Sequence, residues 1–106
     1  MREIKLNVPA QFVGDPARLG RLTRHLRARL LDFGPGGPEV LSADEAAGLV
    51  TVRFPGREAQ AVLHALAQQC GVFAALDGDW ALFCLAEDTR FEDLDYVWGC
   101  LFDILS

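Results

Sequence analysis

The first third of the chain alternates polar and apolar residues and then changes to a helical spacing. Residues 2–8 alternate, which is typical of a half-buried strand. Asp15, which a proline follows, is a typical helix start, because aspartate caps free N–H groups and proline fits the first helical position. Leucines recur at intervals of three, four and four over Leu19–Leu30, which predicts a helix over residues 16–32 with one apolar face. The breaker cluster Gly34–Pro38 should end it.

The second half predicts a strand, a helix, a hairpin and a final helix. Leu49–Phe54 is β-branched and alternating, as in a strand. Arg57–Cys70 is rich in Ala, Gln and Leu at helical spacing. Val72–Leu76 and Trp80–Leu85 are apolar runs on either side of an Asp-Gly turn, which is a strong hairpin signal. Residues 90–105 complete the chain as a helix.

Two short sequences have the spacing of helix capping boxes. Ser42 with Glu45 is one, although Gly48 leaves room for only about a turn of helix after it. Thr89 with Glu92 is the other, and the acidic residues there would favour the positive end of the helix dipole.

The predicted fold is α+β: a two-layer sandwich in which three helices cover a mainly antiparallel sheet of three to four strands, in the order β-α-β-α-β-β-α. Residues 1–106 are expected to form a single domain. The last helix is apolar around most of its circumference, so we expect a second buried face in a homodimer or against a partner chain. The residues of this expected interface are Val97, Trp98, Leu101, Phe102 and Leu105.

Charge is distributed unevenly along the chain. Residues 1–31 carry a net charge of +5 and residues 32–106 carry −10, for a total of −5. The arginines of the first helix are expected to pair with acidic groups of the second half or of a partner; the candidates are Arg18, Arg21, Arg24 and Arg29. Nucleic acid is an unlikely partner, because the total charge is acidic and no aromatic residues are interleaved for base stacking.

Composition narrows the class of protein further. Hydrophobic residues make up 51% and charged residues 24%, so disorder is excluded. No apolar run is long enough to span a membrane, and the first residues carry charges where a signal peptide would be apolar. Three cysteines, Cys70, Cys84 and Cys100, suit reduced thiols, so we expect a cytoplasmic protein.

From Gly48 onward the sequence resembles the C-terminal small domain of fold-type I pyridoxal-phosphate enzymes, the aminotransferase and decarboxylase superfamily. The resemblance covers residues 48–106. It lies in the strand Leu49–Phe54, the helix within Gly56–Gly71, the hairpin Leu76–Leu85, and the helix start Thr-Arg-Phe-Glu-Asp-Leu-Asp at residues 89–95. It implies a small-domain fold without the catalytic large domain.

The same resemblance argues against catalysis by this chain alone. The superfamily's Schiff-base lysine and phosphate cradle belong to the large domain, and Lys5 is the only lysine here. The family's substrate-binding arginine would fall near Leu82, and leucine cannot replace a charge-assisted bidentate contact. We therefore expect no catalytic residue, no cofactor and no metal. An enzyme that uses the carboxylates or Cys84 would need a desolvated pocket, which the sequence does not indicate.

Other candidate chemistry has simpler explanations. His25, His64 and Cys70 lack the spacing of a zinc site, and Cys84 lies in an apolar setting that makes a thiol inert. The paired carboxylates, such as Asp77 with Asp79, fall in turns or first helical turns where solvent accounts for them. The glycines of 34–38 precede no helix, unlike a phosphate loop.

Two functions from different classes remain. The first is a stand-alone aminotransferase small-domain-like protein that is non-catalytic and self-associates or docks on a partner chain. The alternative is a ferredoxin-like regulatory module that binds a small molecule, and a ligand-induced rise in melting temperature would distinguish it.

Overall fold

A computed structural model describes residues 3–9 and 14–106 of the chain. Its strands are β1 (Ile4–Leu6), β2 (Glu39–Asp44), β3 (Leu49–Arg53), β4 (Val72–Asp77) and β5 (Trp80–Cys84), and its helices are α1 (Pro16–Leu31), α2 (Ala59–Ala65) and α3 (Phe91–Leu105). A π-helical segment, Leu66–Cys70, extends α2. The α+β class and the three helices match the prediction. The predicted first strand began at Arg2, which lies outside the described residues.

The described strands form one five-stranded sheet in the order β1-β4-β5-β3-β2. The prediction of three to four strands is therefore wrong by at least one. The sheet is mixed, because β1 runs parallel to β4 while the other three pairings are antiparallel. β1 and β3 are not neighbours, so the described sheet lacks the split β-α-β arrangement of a ferredoxin-like fold.

The additional strand is β2, where the sequence suggested a capping turn. Ser42 lies within this strand and pairs with Thr51 of β3 instead of capping a helix. The register shifts between Val40 and Ser42, so Leu41 is the extra residue of a bulge. A bulge interrupts the alternation of apolar and polar positions, and this concealed the strand.

All three helices bury their apolar sides in one core on a single face of the sheet. Alternate strand residues such as Val50, Val52 and Phe83 are buried in this cluster. The predicted leucine stripe of α1 is fully buried there: Leu19, Leu22, Leu26 and Leu30. The periodicity therefore identified the correct helix face.

The ends of the helices are stabilised locally. Asp15 caps α1 as predicted, and its Oδ1 accepts a hydrogen bond of 3.1 Å from the backbone N–H of Arg18. The cap of α3 is shifted by one residue from the prediction: Arg90 occupies the cap position, and its N–H donates to Oδ2 of Asp93 at 3.0 Å. The Thr89 hydroxyl instead accepts from the backbone N–H of Ala86, which orders the loop before the helix.

Candidate docking surfaces

One face of the sheet carries apolar side chains that the helices do not cover. Thr51 pairs with Leu82, and Leu82 pairs with Ala75, so these residues form a row across three strands on one face. The neighbouring row, which includes Val52 and Ala81, points into the core. We call the uncovered surface the open sheet face and define it by six residues: Leu49, Thr51, Phe73, Ala75, Trp80 and Leu82.

None of these six residues belongs to the core cluster or packs against it. The side chain of Trp80 is 46% exposed, and the other five are partly exposed. An antiparallel sheet with one solvated face normally carries polar residues there, whereas strands that are apolar at successive positions are buried on both faces. β4 and β5 have the second pattern, but the described helices cover only one face. On the other face, Cys84 at the end of β5 pairs with Leu49 and is 1% exposed, so that end of the face is buried and the open part is the remainder.

The perimeter of the open sheet face is charged. Arg53 of β3 lies opposite Glu39 of β2, and their side chains form an ion pair of 3.5 Å. Lys5 is exposed on β1 in register with Phe73. Asp77 lies opposite Trp80 at the hairpin end. An apolar centre inside a polar rim is the usual composition of a protein interface.

The residues of the interface predicted on α3 are divided between the core and the surface. Val97 and Leu101 are fully buried inside this one chain. Trp98 and Leu105 are half-buried, and Phe102 is 50% exposed. Part of the apolar surplus of this helix is therefore explained by packing within the chain.

Trp98 is held in an aromatic cluster rather than projecting alone into solvent. Its ring lies 5.8 Å from that of Phe33, which follows α1, and 5.6 Å from that of Phe102. The guanidinium of Arg29 lies 5.1 Å above the indole, a cation–π contact. The indole N–H is buried and has no hydrogen-bond partner in the part of the chain that the structure describes. These contacts connect α1 to α3.

The arginines of α1 have different surroundings. Arg18 donates to the backbone carbonyl of Thr89 at 2.8 Å and lies over the ring of Phe91. Arg24 forms an exposed ion pair of 3.3 Å with Glu45 after β2. Arg21 is exposed and has no ion-pair partner among residues 3–9 and 14–106. Arg18 and Arg24 therefore bind groups elsewhere in the chain, as Arg29 also does.

Asp95 joins α3 to α1 through two hydrogen bonds. Its Oδ1 lies 2.7 Å from Nε2 of His25 and accepts a bond of 2.9 Å from Nε of Arg29. The hydrogen bond with His25, which has the larger effect, and the hydrogen bond from Arg29 hold the pKa of the Asp95 carboxyl below its usual value. This is a helix–helix contact, so the charge complementarity has a structural role.

Two of the cysteine thiols, Cys84 and Cys100, have raised pKa values. Burial raises the pKa of Cys84, as the sequence suggested. Burial, which has the larger effect, and a hydrogen bond with Cys70 raise the pKa of Cys100 to about 12. The Tyr96 hydroxyl, whose pKa is raised by its interaction with Cys100, donates to the carbonyl of Cys70 at 3.3 Å. A thiol with a raised pKa is a poor nucleophile at neutral pH, and this applies to Cys84 and Cys100.

The described part of the chain contains no group of three or more histidine, cysteine, aspartate or glutamate residues placed to bind a metal ion. Among the same residues, no helix is long and apolar enough to cross a membrane. Lys5 lies on the short strand β1 and is exposed. Compared with protein-family models and with curated proteins, the chain matches none.

Proposed function

We propose that this chain is a non-catalytic interaction module that associates with a partner chain through the open sheet face. The observation that carries the proposal is the set of mainly apolar side chains across β3, β5 and β4, on the face that none of the described helices covers. Apolar area of this kind is removed from water when a second surface packs on it, and this is the main driving force of association.

The partner is either a second copy of the chain or a different polypeptide. The resemblance of residues 48–106 to the small domain of fold-type I pyridoxal-phosphate enzymes favours a different polypeptide, because such a domain normally accompanies a large one. Leu82, the position where that family would carry its substrate-binding arginine, is on the open sheet face. A leucine there suits an apolar contact better than recognition of a carboxylate. A cytoplasmic location remains part of the proposal.

Association can be tested with one substitution on the open sheet face. Leu82→Glu introduces a charge at the centre of the face without changing the core, so it should abolish capture of the partner and any self-association. The readouts are affinity capture of the tagged chain from native extract and the mass of the purified chain measured by light scattering.

Leu31→Glu is the matched control, because Leu31 is 51% exposed at the end of α1, away from the open sheet face. We expect the control to associate as the unmodified chain does. Circular dichroism must show that both variants are folded. Equal association of the Leu82→Glu and Leu31→Glu variants would refute the proposal.

A further inference from the structure

The outer edge of β2 and the neighbouring surface of α1 enclose a groove of about 520 Å³. Its walls are residues 40–43 of the strand, Arg24 and Arg27 of the helix, and Glu45. This groove lies on the helical side of the sheet edge. It is therefore separate from the open sheet face, and binding in the groove does not depend on the proposed function.

The edge of β2 can accept another strand. β2 is the last strand in the order β1-β4-β5-β3-β2, so within the part of the chain that the structure describes nothing pairs with its outer side. The strand has six residues and no proline, and Leu41 at its centre is 43% exposed. Exposed edges usually contain lysine, proline or a bulge that discourages further pairing. β2 contains neither lysine nor proline, and its bulge is confined to Leu41, which leaves residues 42–44 in regular strand geometry.

The helical wall of the groove is basic. Arg27 is exposed and has no ion-pair partner among the described residues. The Arg24 side chain is 61% exposed, and its ion pair with Glu45 is also exposed to solvent. An extended segment beside β2 would direct every second side chain towards these guanidinium groups. Acidic side chains at those positions would be favoured by charge.

A second copy of this chain is a poor occupant of the edge. Symmetric antiparallel pairing of two β2 strands would place Glu39 opposite Asp44 of the second copy. It would also bring both α1 helices to the same face of the joined sheet, with Arg24 and Arg27 of one copy facing those of the other. Like charges brought together in this way oppose association.

We propose that the groove between α1 and the edge of β2 binds an extended acidic segment of another protein, which adds to the sheet as a sixth strand. Backbone hydrogen bonds to β2 give the segment its orientation, and Arg24 and Arg27 select acidic side chains at alternate positions.

The probe is a fluorescein-labelled synthetic peptide in which threonine and glutamate alternate, measured by fluorescence anisotropy with the full-length chain. A peptide with lysine in place of glutamate tests the selection by charge. A third peptide, N-methylated at alternate residues, lacks the N–H donors that strand addition requires. We expect the acidic peptide to bind, and each of the other two to bind at least about tenfold more weakly.

Arg27→Glu should weaken binding of the acidic peptide by about tenfold or more, since the substitution reverses a charge in the groove. Arg21→Glu is the matched control: the same helix and the same charge change, but a position outside the groove. Arg21→Glu should weaken binding only about twofold to threefold, because it changes the long-range electrostatic field of the protein but no contact in the groove. NMR amide shifts on peptide addition should centre on residues 39–44.

Three results would overturn the proposal. The first is no binding of the acidic peptide. The second is that the N-methylated peptide binds as tightly as the unmethylated acidic peptide, which would exclude strand addition as the mode of binding. The third is an equal effect of the two arginine substitutions, as a diffuse basic surface for an anion such as RNA would give.

Discussion

Truncation of one leucine on each side of the sheet distinguishes the face that the chain itself covers from the face that is left for a partner. Leu82 is on the open sheet face, and Leu85, three residues later, is fully buried in the core. The substitutions Leu82→Ala and Leu85→Ala remove the same atoms, so any difference in the free energy of unfolding comes from the surroundings.

Their magnitudes follow from burial. Leu85 is 0% exposed, so Leu85→Ala should lower the free energy of unfolding by about 2–5 kcal/mol through lost transfer energy and a cavity. Leu82 has neighbours in its own sheet but no second layer of described residues over it, so Leu82→Ala should cost about 1 kcal/mol or less. For a domain of this size, 1 kcal/mol corresponds to a shift in melting temperature of roughly 4–8 °C.

The assay is urea unfolding followed by circular dichroism, at protein concentrations low enough for the chain to be monomeric. The midpoint should fall much further for Leu85→Ala than for Leu82→Ala. At protein concentrations high enough for the unmodified chain to associate, the loss of unfolding free energy relative to that chain should become larger for Leu82→Ala but not for Leu85→Ala. Equal losses at low concentration would show that the sheet face is covered within the chain, and the reasoning would fail.

Four further substitutions test other contacts in the structure. Asp95→Asn should destabilise at neutral pH, and because the folded pKa of Asp95 is lowered, the difference from the unmodified chain should shrink in urea titrations as the pH falls below the usual aspartate value of about 3.8. Gly48→Ala should cost about 1–3 kcal/mol in thermal unfolding, since Gly48 has φ +70° and a Cβ there would lie 2.8 Å from Cδ1 of Leu19; Gly56→Ala, at φ +74° with open space around it, should cost less. Trp98→Ala should cost about 1–3 kcal/mol, less than a fully buried tryptophan, and a loss above that range would mean that this ring belongs to the main core.

Local patterns were sufficient to predict most of the elements, whereas contacts between distant segments were not. The leucine stripe of α1 and the Asp-Gly hairpin follow from spacing and turn chemistry, which depend on near neighbours. β2 was missed because its bulge at Leu41 breaks the alternation. The position of β1 beside β4 rests on the Ile4–Val72 pairing, which joins residues 68 positions apart along the chain. No local rule gives such a pairing.

For the candidate docking surfaces too, the sequence contains the local signals but not the long-range contacts that determine their meaning. The apolar surplus of α3 was interpreted as an interface, but Phe33, more than sixty residues earlier, packs against Trp98 and accounts for part of it. The signal for the open sheet face was present in the sequence: β4 and β5 are apolar at successive positions, which indicates burial on both faces. Its meaning depended on knowing that all three helices lie on one side.

Hydroxyl-radical footprinting, on the isolated chain and on the chain in its native complex or oligomer, tests whether the open sheet face is the surface that associates. Trp80, on the open sheet face, is 46% exposed, while Tyr96 and Phe102 of α3 are 46% and 50% exposed, so all three should be oxidised in the isolated chain. We expect association to protect Trp80 and to leave Tyr96 and Phe102 reactive. Protection of Tyr96 and Phe102 with Trp80 still reactive would contradict this expectation and place the interface on α3.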